Sequence, residues 1–313
     1  MITPINRRKF LRTSAIASAA LLGSRATFGA EKKRVLLFTK SSGFEHQVIK
    51  VVNGQPSIVE SAIRPMAEKY NFELTTSKDG RIFDSQEIHN YNALIFFTTG
   101  DLTTEGGDKN PPMSAQAKQG FLDAIHDGKL GFVGIHAATD TFHTPPDSQD
   151  NRYIAYGDKS DPYIRMIGGE FIIHGQQDDP RLQTANVILS DPKFPGLEGV
   201  SSPVSLMDEW YSMKDFAPNL HVICTLDTST MNGNAYKRPP YPVVWARMHG
   251  QGRVFYTAIG DRPENWQNQF HLNLLAGGIR WALSDVNASV APNLKTAAPG
   301  YATIPPKYPP PQK

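Results

Sequence analysis

Over residues 34–136, compact apolar runs alternate with segments of helical periodicity, and this alternation limits the fold more than any other feature of the chain. Residues 34–40 form an apolar run that reads as a strand buried on both faces. Residues 56–70 carry apolar side chains at 58, 59, 62, 63, 66 and 67, the spacing of one helix face. Residues 72–76 suggest a second strand, and residues 91–100 a third that ends at Gly100. Ser114 is placed to cap a helix bearing Phe121, Leu122 and Ile125, which closes at Gly128. Residues 130–136 read as a fourth strand. The expectation is an α/β fold with a mostly parallel sheet and helices on both faces. Ligands bind such sheets beyond the carboxyl ends of the strands, so residues 39–46, 98–101 and 136–140 are the first places to look for chemistry.

The second half reads differently. Residues 141–183, rich in Pro, Gly and Asp, read as long loops around a short helix, and loops of this length are usually functional or disordered. Further β-like runs at 185–189, 221–226, 242–248 and 252–259 predict additional β structure, the last two joined by a tight turn. Residues 266–283 make a final amphipathic helix. Seven prolines in residues 292–313 predict an extended, largely unpacked tail. The expected organisation is a leader at 1–30, one domain at 31–285 and a Pro-rich tail at 286–313.

Charge assigns the leader its role. The formal net charge is +2, yet residues 1–30 hold Arg7, Arg8, Lys9, Arg12 and Arg25 with no acid. The remainder carries 27 cations against 30 acids, which gives no basic face for nucleic acid. Asn6-Arg7-Arg8-Lys9-Phe10-Leu11-Arg12, followed by a short Ala-rich apolar stretch, reads as a twin-arginine export signal and predicts a periplasmic or secreted protein. No run of 18 apolar residues suggests a membrane span. Cys224 is the only cysteine, so neither an internal disulfide nor a two-thiolate metal site can form.

Several constellations carry candidate chemistry. His136 and Asp140 leave the fourth strand four residues apart, as a base and its partner, as metal ligands, or as a satisfied His and a helix cap. Gly168-Gly169 precede a short run ending at His174, either a ligand approach or a turn and an edge strand. Asp208-Glu209-Trp210-Tyr211 sets two carboxylates beside two aromatics, which suits a sugar or a solvated acidic turn over core aromatics. Trp245 reads most simply as core, although its place beside the last hairpin also admits substrate contact. Asp261-Arg262 follow the last strand, as a site pair or an exposed ion pair. Gly43-Phe44-Glu45-His46 lacks the spacing of a dinucleotide or phosphate loop, and no G-x-S-x-G elbow occurs.

Taken in order, residues 35–46, 134–140, 168–174, 208–211, 242–245 and 252–266 resemble the ThuA-like (trehalose utilisation) family, which has a class I glutamine amidotransferase-like fold. The resemblance spans about residues 34–283. It implies a flavodoxin-like sheet with extra β structure, a role in sugar metabolism, and association with sugar oxidoreductases working through 3-keto intermediates. Two departures stand out. Amidotransferases carry a Cys where this chain has Ile135-His136, so glutamine hydrolysis through a thiolate is excluded. The family commonly has Gly-His where this chain has Gly260-Asp261.

The resulting expectation is an exported ThuA-like enzyme of lyase or hydrolase type, acting on a sugar or glycoside by acid–base or metal-assisted chemistry. His136, Asp140, His174 and Glu209 would carry catalysis. His46, Trp210, Tyr211, Trp245, Asp261, Arg262 and Trp266 would contact substrate. His136 and His174 would be the ligands of a divalent metal. The alternatives are a non-catalytic carbohydrate-binding module and a partner of an exported sugar oxidoreductase.

Overall fold

The first strand, β1 (Lys33–Phe38), has Val35, Leu36, Leu37 and Phe38 fully shielded from solvent, as a strand covered on both faces requires. It pairs in parallel with β2 (Phe72–Ser77) on one side and β3 (Ala93–Phe96) on the other. The computed structural model describes residues 31–309, and the residues from Lys33 onward form one compact unit. The expected leader at 1–30 lies outside the described residues. Helix α1 (Ile58–Tyr70) links β1 to β2; the Ser57 side chain accepts the Glu60 N–H at its start, and Asn71 closes it in the left-handed region. Helix α2 (Ala115–His126), capped by Ser114 as the sequence predicts, leads into β4 (Gly131–Ile135).

Downstream lie α3 (Pro162–Ile167), β5 (Glu170–Ile173), β6 (Leu182–Leu189), β7 (Val204–Glu209), β8 (Ser212–Lys214), β9 (His221–Asp227), β10 (Tyr241–His249) and β11 (Gly252–Thr257). Helices α4 (Gln269–Ala282) and α5 (Leu294–Ala297) follow. The main sheet runs β2-β1-β3-β4-β11-β10-β9-β6-β7. Pairing is parallel from β2 through β11 and antiparallel from β11 to β7. Strands β5 and β8 form a separate antiparallel pair. The expected fold class is therefore found: a largely parallel core with added antiparallel strands. Neighbouring residues of β11 show the helices on both faces. Phe255 packs on Phe194 and under Gly278 of α4, while Tyr256 stacks on Trp245 and lies close to Gly134, where Ile167 of α3 also packs.

Three connections leaving carboxyl ends of the parallel strands are stitched together. The Ser42 N–H donates to Thr99 O, the Gly100 N–H to Asp140 O and the Phe142 N–H to Gly100 O. Gly100 is required here: its φ is +73°, and an added Cβ would lie 2.6 Å from the Gly43 nitrogen.

Some elements differ from expectation. The third strand stops at Phe96, because residues 97–100 turn into these stitched loops. The last helix begins at Gln269, and Trp266 belongs to the preceding 3₁₀ turn. Strands β5, β7 and β8 are three to six residues long, too short to stand out by periodicity. The expectation of a largely unpacked tail is corrected. Leu294 and Ala298 are buried, the Asn293 side chain bonds both polar backbone groups of Val222 in β9, and Arg238 donates to Tyr301 O. No helix among the described residues is long and apolar enough to cross a membrane.

Candidate functional site

Side chains from five separate connections meet beside the carboxyl ends of the parallel strands. His46 comes from the loop after β1, and His136 begins the turn after β4 with φ +44°, uncommon for a residue with a Cβ. Glu209 ends β7, Asp261 follows β11, and His174 follows β5. His136 Nε2 lies 3.5 Å from Glu209 Oε2, and His46 Nε2 lies 4.0 Å from the same oxygen and 3.9 Å from Asp261 Oδ1. His174 Nε2 is 3.6 Å from Glu209 Oε1. Arg181 reaches across the group: its Nε contacts Glu209 Oε1, and its Nη2 is 3.8 Å from Asp261 Oδ1. One donor atom from each of His46, His136, Glu209 and Asp261 falls within 4.8 Å of the others, so these four could hold a metal ion. The set differs from the expected His136 and His174, because His174 stands outside it on the Arg181 side.

The electrostatics follow from burial. Burial, reinforced by nearby His136, lowers His46 to about 3. Burial alone would lower His136 as well, but the adjoining Glu209 carboxylate and the charges of Asp261 and Asp208 hold it at about 9. At 3.5 Å the His136–Glu209 approach is ionic, and His136 Nε2 has no hydrogen-bond partner. Burial would raise Glu209, and His136 outweighs it, leaving Glu209 at about 2.

Asp208 shapes this group without joining it. It is fully buried and accepts the backbone N–H groups of Gly260 at 2.8 Å, Glu209 at 3.0 Å and Arg262 at 3.2 Å, which fixes the loop that presents Asp261. Burial pushes its carboxyl up to about 6, although His136 pulls the other way.

The group opens into a cavity of about 590 Å³ also lined by Phe44, Asp140, Arg152, Phe171 and Tyr211. Asp140 does not meet His136. Its Oδ1 accepts from His143 Nε2 at 2.6 Å and Arg152 Nη1 at 3.1 Å. His143 Nδ1 is 2.9 Å from Glu170 Oε1, so both ring nitrogens face carboxylates and the ring must carry both protons. Burial opposes that charge, while Asp140 and Glu170 raise the His143 pKa. Glu170 also accepts from Thr144 and pairs with buried Lys214 at 3.0 Å. A separate cavity of about 490 Å³ beside the end of α2 contains none of the expected site residues; Arg247 there caps α3 by donating to Met166 O.

Four expected substrate contacts are placed elsewhere. Trp210 is fully buried and donates to Gln183 O, because successive residues along the chain here point to opposite sides and Glu209 and Tyr211 take the cavity side. Trp245 is core, stacked on Tyr256 and donating to Ile167 O. Trp266 donates to Gly260 O and packs on His271. The Arg262 side chain turns outward to Glu264. Tyr211 does face the cavity, 3.3 Å from His46 Nε2 through its hydroxyl. Arg152, His143, Glu170, Lys214 and Arg181 escaped the sequence reading, since all but Lys214 sit in or beside the segment read as loops and none carries a spacing signal.

Residues 34–282 match the family model described as ThuA, trehalose utilisation. The chain belongs to the ThuA family. Among solved structures it is similar to a ThuA-like protein from Bacteroides uniformis ATCC 8492, with 16% identity, a TM-score of 0.56, and 80% of this chain and 91% of that one covered. It is also similar to a ThuA-like protein from Parabacteroides merdae ATCC 43184, with 16% identity, a TM-score of 0.52, and 88% and 96% covered. At that identity these likenesses speak to the ThuA fold alone. No curated protein matches the chain significantly.

Proposed function

We propose that this ThuA-family chain is an exported enzyme that processes a sugar or glycoside, with an oxidised (3-keto) sugar as the substrate class. One observation carries the reading: a single cavity is lined by several proton-handling groups, His46 and Glu209, with His136 packed behind Glu209, together with Asp140. Tyr211, Phe171 and Phe44 supply aromatic surface for the C–H faces of a sugar ring, and Arg152 and His174 supply donors for its hydroxyls. Asp140 spends Oδ1 on His143 and Arg152, and Oδ2 has no hydrogen bond among the described residues. Oδ2 serves as the base that takes a proton from the carbon beside the keto group. The released electron pair forms a C=C bond, the glycosidic C–O bond breaks, and the proton that Asp140 has taken passes to the leaving oxygen. The twin-arginine stretch at Arg7-Arg8 supports export.

The test is incubation of the purified chain with 3-keto glycosides, with products read by NMR. Asp140→Asn should lower turnover at least about 100-fold while substrate still binds. Calorimetric sugar binding with no turnover would instead favour a carbohydrate-binding module. Co-purification with an oxidoreductase that survives loss of His46, His136 and His174 would favour a partner role. Replacing Arg7 and Arg8 by Lys should keep the protein in the cytoplasm, and unchanged export would refute that address.

A further inference from the structure

We infer that His46, His136, Glu209 and Asp261 form a binding site for one divalent transition-metal ion, and that Arg181 competes with the ion for its two carboxylates. The inference rests on reading the cavity as a reaction site, and it identifies the cofactor class and the side chain that controls its loading.

Geometry comes first. Two imidazoles and two carboxylates present donor atoms within 4.8 Å of one another, close enough to surround a single ion. A mixed nitrogen and oxygen set suits Zn²⁺, Mn²⁺, Co²⁺ or Fe²⁺, whereas Ca²⁺ and Mg²⁺ prefer oxygen alone. His136 is already oriented as a ligand. Its Nδ1 donates to Ala258 O at 2.9 Å, which fixes the ring and leaves Nε2 facing Glu209, where an ion would take the place of the Nε2 proton. That Nε2 is fully buried and has no hydrogen-bond partner, an arrangement costly for a polar atom unless something binds it. Asp208 and its three backbone donors hold Asp261 in place, giving the carboxylate ligand its own support. Charge agrees. With the imidazoles neutral, as ligation requires, the two carboxylates of the set, Glu209 and Asp261, are paired with a single cation, Arg181, so the group carries one uncompensated negative charge that favours a bound cation.

Arg181 sets the conditions for loading. Its guanidinium lies against Glu209 Oε1 and 3.8 Å from Asp261 Oδ1, the same Asp261 oxygen that faces His46, so it draws charge from both carboxylates of the set and shares an oxygen with the ion at Asp261. The side chain is 48% exposed and follows a turn just before β6, so it can swing away. The exposed ring of Phe44, 5.8 Å from the guanidinium, offers it an alternative partner. Two ligands that compete for the same groups are coupled thermodynamically, so anything that draws Arg181 away tightens metal binding.

The experiment uses the full chain, stripped with chelator and titrated with Zn²⁺ and Co²⁺ by calorimetry, with the visible Co²⁺ spectrum as an independent reading of the ligand field. One ion per chain is expected. Arg181→Gln should bind it about tenfold more tightly, and Arg181→Lys should fall between the two. Asp261→Asn and Glu209→Gln, which preserve shape, should weaken binding about 100-fold when titrated well below each variant's own metal-free melting transition. No stoichiometric binding in wild type or Arg181→Gln, or equal or weaker binding in Arg181→Gln, overturns the inference. A chain that binds metal in this pattern but transforms no sugar keeps the metal site and removes the proposed substrate class; sugar turnover that persists in chelator does the reverse.

Discussion

Replacing Glu170 by Gln keeps the side-chain shape and removes one charge from the centre of the network behind Asp140. Glu170 is buried, accepts from the Thr144 backbone and hydroxyl, and faces His143 at 2.9 Å and Lys214 at 3.0 Å. Burial alone would raise its carboxyl, yet His143 and Lys214 hold it at about 2 instead of its ordinary 4.5. A folded-state pKa below the unfolded one gives stability that is fully present above the unfolded value and lost as pH falls through the folded value. The difference corresponds to about 3 kcal/mol at pH 6, roughly 2 kcal/mol at pH 3.5, and little below pH 2. His143 follows the opposite sign: its raised pKa stabilises the fold below about 6.5, and this contribution is lost as pH rises through the folded value. Comparing pH 6 with pH 3.5 therefore isolates the carboxylate. Urea unfolding of wild type and Glu170→Gln, followed by circular dichroism, should show a gap that narrows by about 1 kcal/mol over that range. A gap that stays constant would mean that the loss comes from packing, and the electrostatic account of this network would fail.

Other expectations can be checked directly. Asp208→Ala leaves three backbone donors, two of them buried, without their acceptor and should cost about 1–3 kcal/mol, while substrate turnover falls further than stability because Asp261 loses its support; parallel melting and kinetic measurements separate the two effects. Deleting residues 292–313 removes buried Leu294 and Ala298 and the Asn293 bonds to β9, so the melting temperature should drop by several degrees; an unchanged melt would return the segment to an unpacked tail. Cys224 is fully buried and burial pushes its thiol pKa up, so it should resist Ellman's reagent in the folded protein and react at once in denaturant.

Much of the parallel half is readable from sequence because a strand covered on both faces must be apolar throughout. Residues 35–38 and 93–96 follow that rule, and Ser57 and Ser114 mark their helices by capping chemistry. The convergence of residues 46 and 136 follows from the same logic, since loops after parallel strands lie at one edge. Trp210 is instructive. Its alternation with Glu209 and Tyr211 was available in the sequence and assigns it to the opposite side, but its chemistry as an aromatic beside acids suggested the cavity. His143 and Arg181 were not readable in that way. Their positions depend on the path of irregular backbone between residues 141 and 181, which is set by tertiary bonds such as His143 to Glu170 and Arg181 to Glu209 rather than by any local period.

The place of β11 in the sheet has a consequence for biogenesis. It is the last strand in sequence order among the described residues, yet it lies between β4 and β10. Until residues 252–257 leave the ribosome, a nascent chain presents two incomplete half-sheets with raw edges facing each other. Unpaired edges of this kind recruit foreign strands, so productive folding of the sheet waits for the closing segment.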